Sequence, residues 1–322
     1  MNNTPSNPGA SGADRHSFNT GAKTRRLLPL TVWLCSDSKP DSGDENRRIG
    51  TRRRATVDGA AGRAAAARTC PQHQQAVGRE LAAHLIDTCT AEGDTVAEAF
   101  TTSETTLATA ARRGRRALAC VPHFPLAQHI GPQLRTELTE LQLRRVAMRP
   151  CRPDQMHRGM ADQAGQVSLV IAAPPSYEVS GRVPKGPGTR DCPACRADLW
   201  MLNGQQLGAF LTASWRVLRP GGHLAVITTA RHDGARLIDP APRIVRQASQ
   251  VGFRYSQHVI ALRVPVKGEA LLVQSGPTDL AELRDVRSRA LPPVVSVHAD
   301  VCLFTRPGAP ATGSDEPKEG RR

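Results

Sequence analysis

Short apolar runs alternate with longer segments of helical period between about residues 71 and 306, and this alternation limits the possible folds more than any other feature of the sequence. Val167 to Ile171 is the clearest apolar run, and Pro174-Pro175 ends it. Apolar residues from Leu207 to Leu218 recur at spacings of three and four, which is typical of a helix with one buried face. Repeated strand–helix units pair their strands in parallel and place helices on both faces of the sheet. The sequence therefore predicts a doubly wound α/β fold.

The same patterns place most of the individual elements. Helices are predicted at about 77–89, 104–113, 126–141, 207–218 and 242–251. Strands are predicted at about 95–100, 116–121, 146–148, 167–171, 223–228 and 253–262. Gly114 is a typical helix end. We expect Gly131-Pro132 to start or kink the third helix, because proline cannot donate a hydrogen bond to the preceding turn.

Both ends of the chain lack a sustained apolar period. Residues 1–70 are rich in Asn, Ser, Gly, Asp and Arg, and residues 307–322 have the same character. Such segments cannot bury enough apolar surface to offset the entropy that is lost on ordering. We therefore expect a disordered basic N-terminal arm at 1–70, one folded domain at 71–306 and a disordered C-terminal tail at 307–322.

Charge and cysteine content bear on partners and compartment. The 322 residues include 43 Lys and Arg against 29 Asp and Glu, which is a formal net charge of +14. This balance favours a nucleic-acid partner, although basic tails alone would also produce it. No apolar run approaches the roughly 20 residues that a membrane-spanning helix needs, so no membrane insertion is expected. Eight cysteines at irregular spacing do not form a disulfide scaffold, and the expected compartment is the reducing cytoplasm.

Five segments carry a resemblance to a known family. Arg216 to Ile227 reads RVLRPGGHLAVI, a helix that stops sharply at Pro-Gly-Gly and enters a strand. Val167 to Tyr177 reads VSLVIAAPPSY, and Gly93 to Leu107 reads GDTVAEAFTTSETTL. Segments 237–253 and 298–304 follow in the expected order. Together they resemble S-adenosyl-L-methionine (SAM)-dependent methyltransferases, most closely the site-specific DNA amino-methyltransferases with a Pro-Pro-Tyr-type loop, and also tRNA guanine methylases that share these loops.

The resemblance implies a Rossmann-like, mostly parallel seven-stranded sheet, SAM as the cofactor, and methyl transfer to an exocyclic amine of a DNA base. In the order of the chain, the residues that match the family's cofactor loop are Glu98, Phe100, Thr101, Thr102, Ser103 and Thr105. The residues that match the catalytic loop, which holds the extruded base, are Ala173, Pro174, Pro175, Ser176 and Tyr177.

The chain departs from the family pattern in both loops. Thr102 and Glu104 stand where the cofactor loop has glycines, and Glu104 brings a carboxylate towards the place of the cofactor's own carboxylate. Ala173 replaces the polar residue that accepts hydrogen bonds from the target amine, and Ser176 replaces the aromatic residue. Neither 120–123 nor 148–151, which follow the second and third strands of the pattern, contains an acidic residue that could bind ribose or adenine. Losing one such electrostatic contact typically costs on the order of 10²–10³ in rate.

These departures leave three functional hypotheses open. The first is a DNA methyltransferase-like enzyme with impaired catalysis, and the second is a non-catalytic nucleic-acid-binding scaffold that retains the fold. The third is a methyltransferase for RNA or a small molecule. Arg112 to Arg116 and Arg144-Arg145 are either a solvated rim or a phosphate-contacting surface. Cys192 and Cys195 are a lone pair, open to zinc binding with distant ligands, to redox chemistry or to no role, and no metal site is predicted.

Overall fold

Eight strands form one sheet within the residues that the computed structural model describes, namely 30–35, 77–174, 204–233, 235–263, 266–267, 270–271 and 297–308. The strands of this sheet are β1 (Leu30–Leu34), β2 (Thr95–Glu98), β3 (Arg116–Cys120), β4 (Val146–Arg149), β5 (Val167–Ala172), β6 (Leu218–Thr228), β9 (Arg254–Leu262) and β12 (His298–Thr305). Two-stranded sheets pair β7 (Arg231–Asp233) with β8 (Arg236–Ile238) and β10 (Val266–Lys267) with β11 (Ala270–Leu271). The helices are α1 (Arg79–Cys89), α2 (Thr105–Arg112), α3 (Phe124–Glu137), α4 (Glu140–Leu143), α5 (Met156–Gly159), α6 (Gly204–Val217) and α7 (Ala241–Val251).

The strands of the large sheet lie in the order β4-β3-β2-β5-β6-β12-β9-β1. Neighbouring strands are parallel except at β12, which runs antiparallel to both β6 and β9. From β2 the chain moves outward through β3 and β4, whereas from β5 it moves in the other direction to β6. The strand order therefore reverses between β2 and β5, and open α/β sheets bind ligands at such a switch point. The predicted doubly wound α/β fold is confirmed, with eight strands instead of seven.

Burial explains why these segments form the centre of the sheet. Every residue of β2 and β5 is buried, which is the pattern of strands covered on both faces. One face packs against the apolar sides of α1, α2 and α3, including Leu85, Leu107 and Ile130. The other face packs against α6 and α7 through residues such as Phe210 and Ile244. The alternation of apolar runs and helical periods thus reflects two hydrophobic cores, one on each face of the sheet.

One predicted boundary is wrong. Leu30–Leu34 falls inside the segment predicted to be disordered, and it forms β1 at the edge of the sheet, parallel to β9. Trp33 stacks on His84 of α1 with ring centroids 5.4 Å apart. Trp33 thus packs on α1, whereas Val32 and Leu34 are each 52 % exposed. The strand was not predicted, because the segment around it has no wider apolar period. The rest of the predicted arm, and the predicted tail beyond residue 308, lie outside the described residues.

Two other local predictions need correction. Gly131-Pro132 does not start the third helix, since α3 begins at Phe124 and continues through Pro132. Ile130 and Leu134 are buried on either side of the proline, and this packing offsets the one backbone hydrogen bond that proline cannot make. Pro220-Gly221-Gly222 does not separate helix from strand, because it lies inside β6, where the pairing register with β5 is interrupted. A β-carbon at Gly222 would lie 2.9 Å from the Arg219 carbonyl oxygen, so only glycine fits there.

Candidate active site

The loops that follow β2 and β5 leave the sheet side by side. Glu98 of β2 pairs with Ile171 of β5, and the next backbone amide, that of Ala99, donates to the Ile171 carbonyl at 2.9 Å. Hence the predicted cofactor loop and the start of the predicted catalytic loop, Ala173-Pro174, emerge from neighbouring strands. We call this end of the sheet, where β2, β3, β4, β5 and β6 finish, the carboxyl edge. Pro175, Ser176 and Tyr177 lie outside the described residues.

Glu98 is the central polar group at the carboxyl edge. Its side chain is buried, and the Thr106 hydroxyl donates to one carboxylate oxygen, Oε1, at 3.0 Å. The other oxygen, Oε2, is buried without a hydrogen-bond partner among the described residues. Burial raises the pKa of Glu98 to about 7. The site therefore holds a carboxyl group that changes its charge near neutral pH and has one oxygen left for a ligand.

The loop between Glu98 and α2 contains most of the predicted cofactor residues. Thr102 and Ser103 are half-buried, and Ser103 Oγ accepts a hydrogen bond from the Thr105 amide at 3.5 Å. Thr101 is fully buried, and its hydroxyl donates to the Glu98 carbonyl at 3.3 Å. This bond holds the loop against the end of β2. Among these side chains, Thr102 and Ser103 are the ones with surface open to a ligand.

Phe100 takes part in the core. Its ring meets that of Phe210 on α6 edge-on, with centroids 5.1 Å apart, and it is 5 % exposed. The predicted part of Phe100 in cofactor binding would therefore have to involve its backbone. An aromatic residue in this loop is equally a sign of core packing, and sequence alone does not separate the two roles.

Glu104 stands directly before α2 in an ordinary right-handed helical conformation, with φ of −77°. Its backbone conformation does not require glycine. Any interference of Glu104 with cofactor binding must therefore come from the size and charge of its side chain. Burial lowers the pKa of His129 on α3, and the charge of Glu104 opposes that shift. The same charge adds to the burial effect that raises the pKa of Glu98. Glu104 thus places a second carboxylate within electrostatic reach of Glu98.

The ends of β3 and β4 hold two cysteines and a nearby acid. Cys120 and Cys151 are both buried, and their sulfur atoms are 3.7 Å apart. The pKa of Cys120 is raised by its hydrogen bond to Cys151 and by burial, and the charges of Glu98 and Asp154 add to this. Asp154 therefore lies within electrostatic reach of Cys120, although in sequence it follows the positions where an acid is expected. Sequence reasoning missed both relations, since no local pattern joins residues that are 31 and 34 positions apart.

No protein-family model matches the sequence, and no curated protein matches it. Solved structures similar to this chain include the Geobacter metallireducens precorrin-6y C5,15-methyltransferase, at 11 % identity over 71 % of this chain and 89 % of that one, with a TM-score of 0.42. The chain itself has an open, mostly parallel, doubly wound α/β sheet.

Two further similar structures contain S-adenosyl-L-homocysteine (SAH). One is the Burkholderia thailandensis 1,6-didemethyltoxoflavin-N1-methyltransferase, at 13 % identity over 73 % of this chain and 80 % of that one, with a TM-score of 0.42. The other is the N-methyltransferase NodS of Bradyrhizobium japonicum, at 10 % identity over 71 % and 85 %, with a TM-score of 0.41. At these identities the similarity concerns the fold alone.

The arginine-rich segments lie at the opposite end of the sheet, the amino edge, where β2, β3, β4 and β5 begin. Arg116 is the first residue of β3, and Arg145 directly precedes β4. Most of the neighbouring arginines contact acidic side chains of the same edge. The pairs are Arg112 with Glu137, Arg113 with Asp87 and Arg219 with Asp94, at N–O distances of 2.7, 3.0 and 3.2 Å. The paired arginines thus form a rim that is remote from the candidate site.

Two negative findings apply to the described residues. Within them, no group of three or more His, Cys, Asp and Glu side chains is arranged to hold a metal ion. Cys192, Cys195 and Cys70 lie outside those residues. Within the same part of the chain, no helix is long and apolar enough to cross a bilayer.

Proposed function

We propose that this protein is a SAM-dependent methyltransferase whose cofactor binds at the carboxyl edge, in the crevice between β2 and β5. The observation that carries the proposal is the carboxylate of Glu98, which is buried at the switch point of the sheet with one oxygen unpartnered among the described residues. A buried polar atom without a partner costs free energy unless a ligand satisfies it. The doubly wound sheet with its switch point and the matching order of sequence motifs support the same assignment.

The residues at the crevice fit the cofactor in three respects. Glu98 Oε2 can accept a hydrogen bond from an ammonium or hydroxyl group of the ligand. Thr102 and Ser103 add half-buried hydroxyls beside it. Bound SAM would supply an electrophilic methyl group on a positively charged sulfonium, and a carboxylate nearby favours a cation. Glu104 is the residue that fits least, because it would repel the carboxylate of the cofactor.

For the substrate, we propose an exocyclic amine on a nucleic-acid base, DNA before RNA. The sequence resemblance of Val167 to Tyr177 and the net charge of +14 support this substrate class. The non-catalytic scaffold remains the second candidate, because Ala173 offers no side-chain acceptor for a target amine. Both candidates require nucleic-acid binding, whereas only the first requires a cofactor.

Calorimetric titration of the full chain with SAH tests the cofactor step. We expect saturable binding with a micromolar Kd, and Glu98→Gln should weaken it about 10- to 100-fold, since hydrogen bonds to charged groups contribute about 1.5–3 kcal/mol. Glu92→Gln is the matched control, because Glu92 is exposed at the amino edge and its loss changes the net charge equally. Binding weaker than millimolar would refute the enzyme hypothesis.

Titration with a short DNA duplex at several salt concentrations tests the partner. We expect log Kd to rise with log salt, with a slope that reports several displaced counterions. A single-stranded RNA of equal length serves as the comparison for DNA preference. A slope near zero for both nucleic acids would remove the nucleic-acid partner and favour a small-molecule substrate.

A further inference from the structure

Two buried thiols meet at the carboxyl edge and take no part in the proposed transfer. Cys120 is the last residue of β3, and Cys151 follows the end of β4. Their sulfur atoms are 3.7 Å apart, which is van der Waals contact for sulfur. The contact arises because β3 and β4 are parallel neighbours, with Cys120 in register with Arg149, and because the Cys151 amide turns back to the Arg149 carbonyl at 2.8 Å.

The surroundings of Cys151 limit where its sulfur can go. A β-carbon on Gly159 would lie 2.3 Å from the sulfur of Cys151, so this side chain is packed directly against the bare α-carbon of Gly159. The Cys151 sulfur also contacts the sulfur of Cys120. A disulfide needs a sulfur–sulfur distance of about 2.05 Å, so the present contact of 3.7 Å has to shorten when the bond forms.

The two thiols differ chemically. The pKa of Cys151 is lowered by its hydrogen bond with Cys120 and by the positive charge of Arg149, which together outweigh the effects of burial and of the Asp154 charge. The pKa of Cys120 is raised by that same hydrogen bond and by burial. Cys151 is therefore the thiol that ionises first, and Cys120 keeps its proton. By contrast, burial raises the pKa of Cys89 to about 12, which leaves that thiol unreactive.

We propose that Cys120 and Cys151 form a reversible disulfide on exposure to hydrogen peroxide, and that this bond lowers the affinity of the carboxyl edge for its ligand. The Cys151 thiolate attacks one peroxide oxygen and becomes a sulfenic acid, with release of hydroxide. The Cys120 sulfur then attacks the Cys151 sulfur, and its proton leaves with the hydroxyl group as water. In total, two thiols and one peroxide give one disulfide and two waters. A small-molecule dithiol restores both thiols.

The effect on the ligand follows from the location of the bond. Closing the sulfur–sulfur contact draws the segment around Cys151 towards the end of β3, and it fixes the loop from Val121 to His123 that leads into α3. Both segments border the edge at which α/β sheets bind ligands. This second part rests on the proposed function, whereas formation of the disulfide does not.

Peptide mapping of the full chain tests the disulfide. Tryptic cleavage, which does not occur before proline, places Cys120 alone in peptide 117–135 and Cys151 alone in peptide 146–158. After peroxide treatment and alkylation in denaturant, we expect these two peptides to be linked in at least half of the molecules and separate after dithiothreitol. Cys120→Ser should stop at the Cys151 sulfenic acid, which dimedone traps, whereas Cys89→Ser should behave as the unaltered chain does.

The outcomes separate the two parts of the proposal. Absence of the linked peptides in folded protein, or equal linkage when the protein is first unfolded in urea, would overturn the disulfide. We expect the oxidised chain to bind SAH at least threefold more weakly than the reduced chain, and peroxide to leave the affinity of Cys120→Ser unchanged. Equal affinity of both forms would overturn the regulatory part. If neither form binds SAH, the proposed function fails while the mapping result stands.

Discussion

The two edges of the sheet differ in how their charged side chains are paired. At the amino edge, arginines and acids satisfy one another, as the bidentate contact of Arg219 with Asp94 at 3.3 and 3.2 Å illustrates. At the carboxyl edge, Glu98 Oε2 and the Thr228 hydroxyl are buried with no hydrogen-bond partner among the described residues. The thiols of Cys120 and Cys151 lie there too. The named acids at the amino edge are therefore paired with arginines, whereas the Glu98 carboxylate at the carboxyl edge keeps one oxygen unpartnered; the contrast concerns charged groups, since the Ser168 hydroxyl near the start of β5 is also buried without a partner among the described residues.

This difference separates groups that stabilise the fold from groups available for chemistry. A paired charge contributes to stability and has little left to offer a ligand. A buried unpaired group lowers stability, and such groups concentrate where ligands bind. Changes at the amino edge should therefore alter stability without altering binding, and changes at the carboxyl edge should do both. Four substitutions test this comparison, in order of decreasing expected effect.

Glu98 should make stability depend on pH. Its pKa is about 7 in the fold and 4.5 as a free side chain, so the folded state holds its proton more tightly than the unfolded state does. Its contribution is fully present below pH 4.5 and is lost as pH rises through 7, by about 3 kcal/mol in all. Urea denaturation at pH 5 and pH 8 should show this fall, and Glu98→Gln should remove it. If Glu98→Gln keeps the slope and Glu92→Gln loses it, the assignment is wrong.

Arg115→Ala should reduce the free energy of unfolding by about 2 kcal/mol. The guanidinium donates to the Thr90 hydroxyl and carbonyl at 3.1 and 2.9 Å and to the Arg113 carbonyl at 2.6 Å. These bonds join α1, α2 and β3 at the amino edge. SAH affinity should not change, because the edge is remote from the crevice. A matching loss of affinity, measured by calorimetry on folded protein, would break the comparison.

Glu104→Gly should tighten SAH binding about tenfold, or about 1.4 kcal/mol. The change removes a half-buried carboxylate beside the proposed cofactor carboxylate, and glycine is tolerated directly before a helix. Glu104→Gln removes the charge but keeps the bulk, so the two variants separate repulsion from crowding. Unchanged affinity in both variants would count against the alignment of this loop with the family's glycine-rich loop.

Arg219→Ala should change stability by less than about 1 kcal/mol, even though its two contacts to Asp94 are bidentate. The arginine side chain is 46 % exposed, and water and salt screen such pairs. The small effect should shrink further at high salt in urea denaturation, with SAH affinity constant throughout. If Arg219→Ala lowered the free energy of unfolding more than Arg115→Ala does, solvent exposure would not predict which of these contacts stabilises the fold more.

Much of the fold could be predicted because hydrophobic periodicity is local. The run from Val167 to Ile171 is apolar throughout, since both faces of β5 are covered, and the predicted helices at 77–89 and 242–251 coincide with α1 and α7 within two residues. β1 was missed, because its apolar residues lie in a segment that otherwise lacks an apolar period. In the candidate site, the order of the motifs predicted Glu98 and the loop after it. The hydrogen-bond partners of Glu98 could not be predicted, because they depend on packing.

The sequence by itself determined most of the strands and helices of the folded core, its two covered faces and the acid at the end of β2, because each of these leaves a pattern within a few adjacent residues. Only the tertiary structure decided that Asp154 lies within electrostatic reach of Cys120 and that Cys151 contacts Cys120. It also decided that arginines at the amino edge pair with acidic side chains. These contacts join residues that are distant in the chain. They depend on strand register and helix packing, which the whole folded core sets and no short segment records.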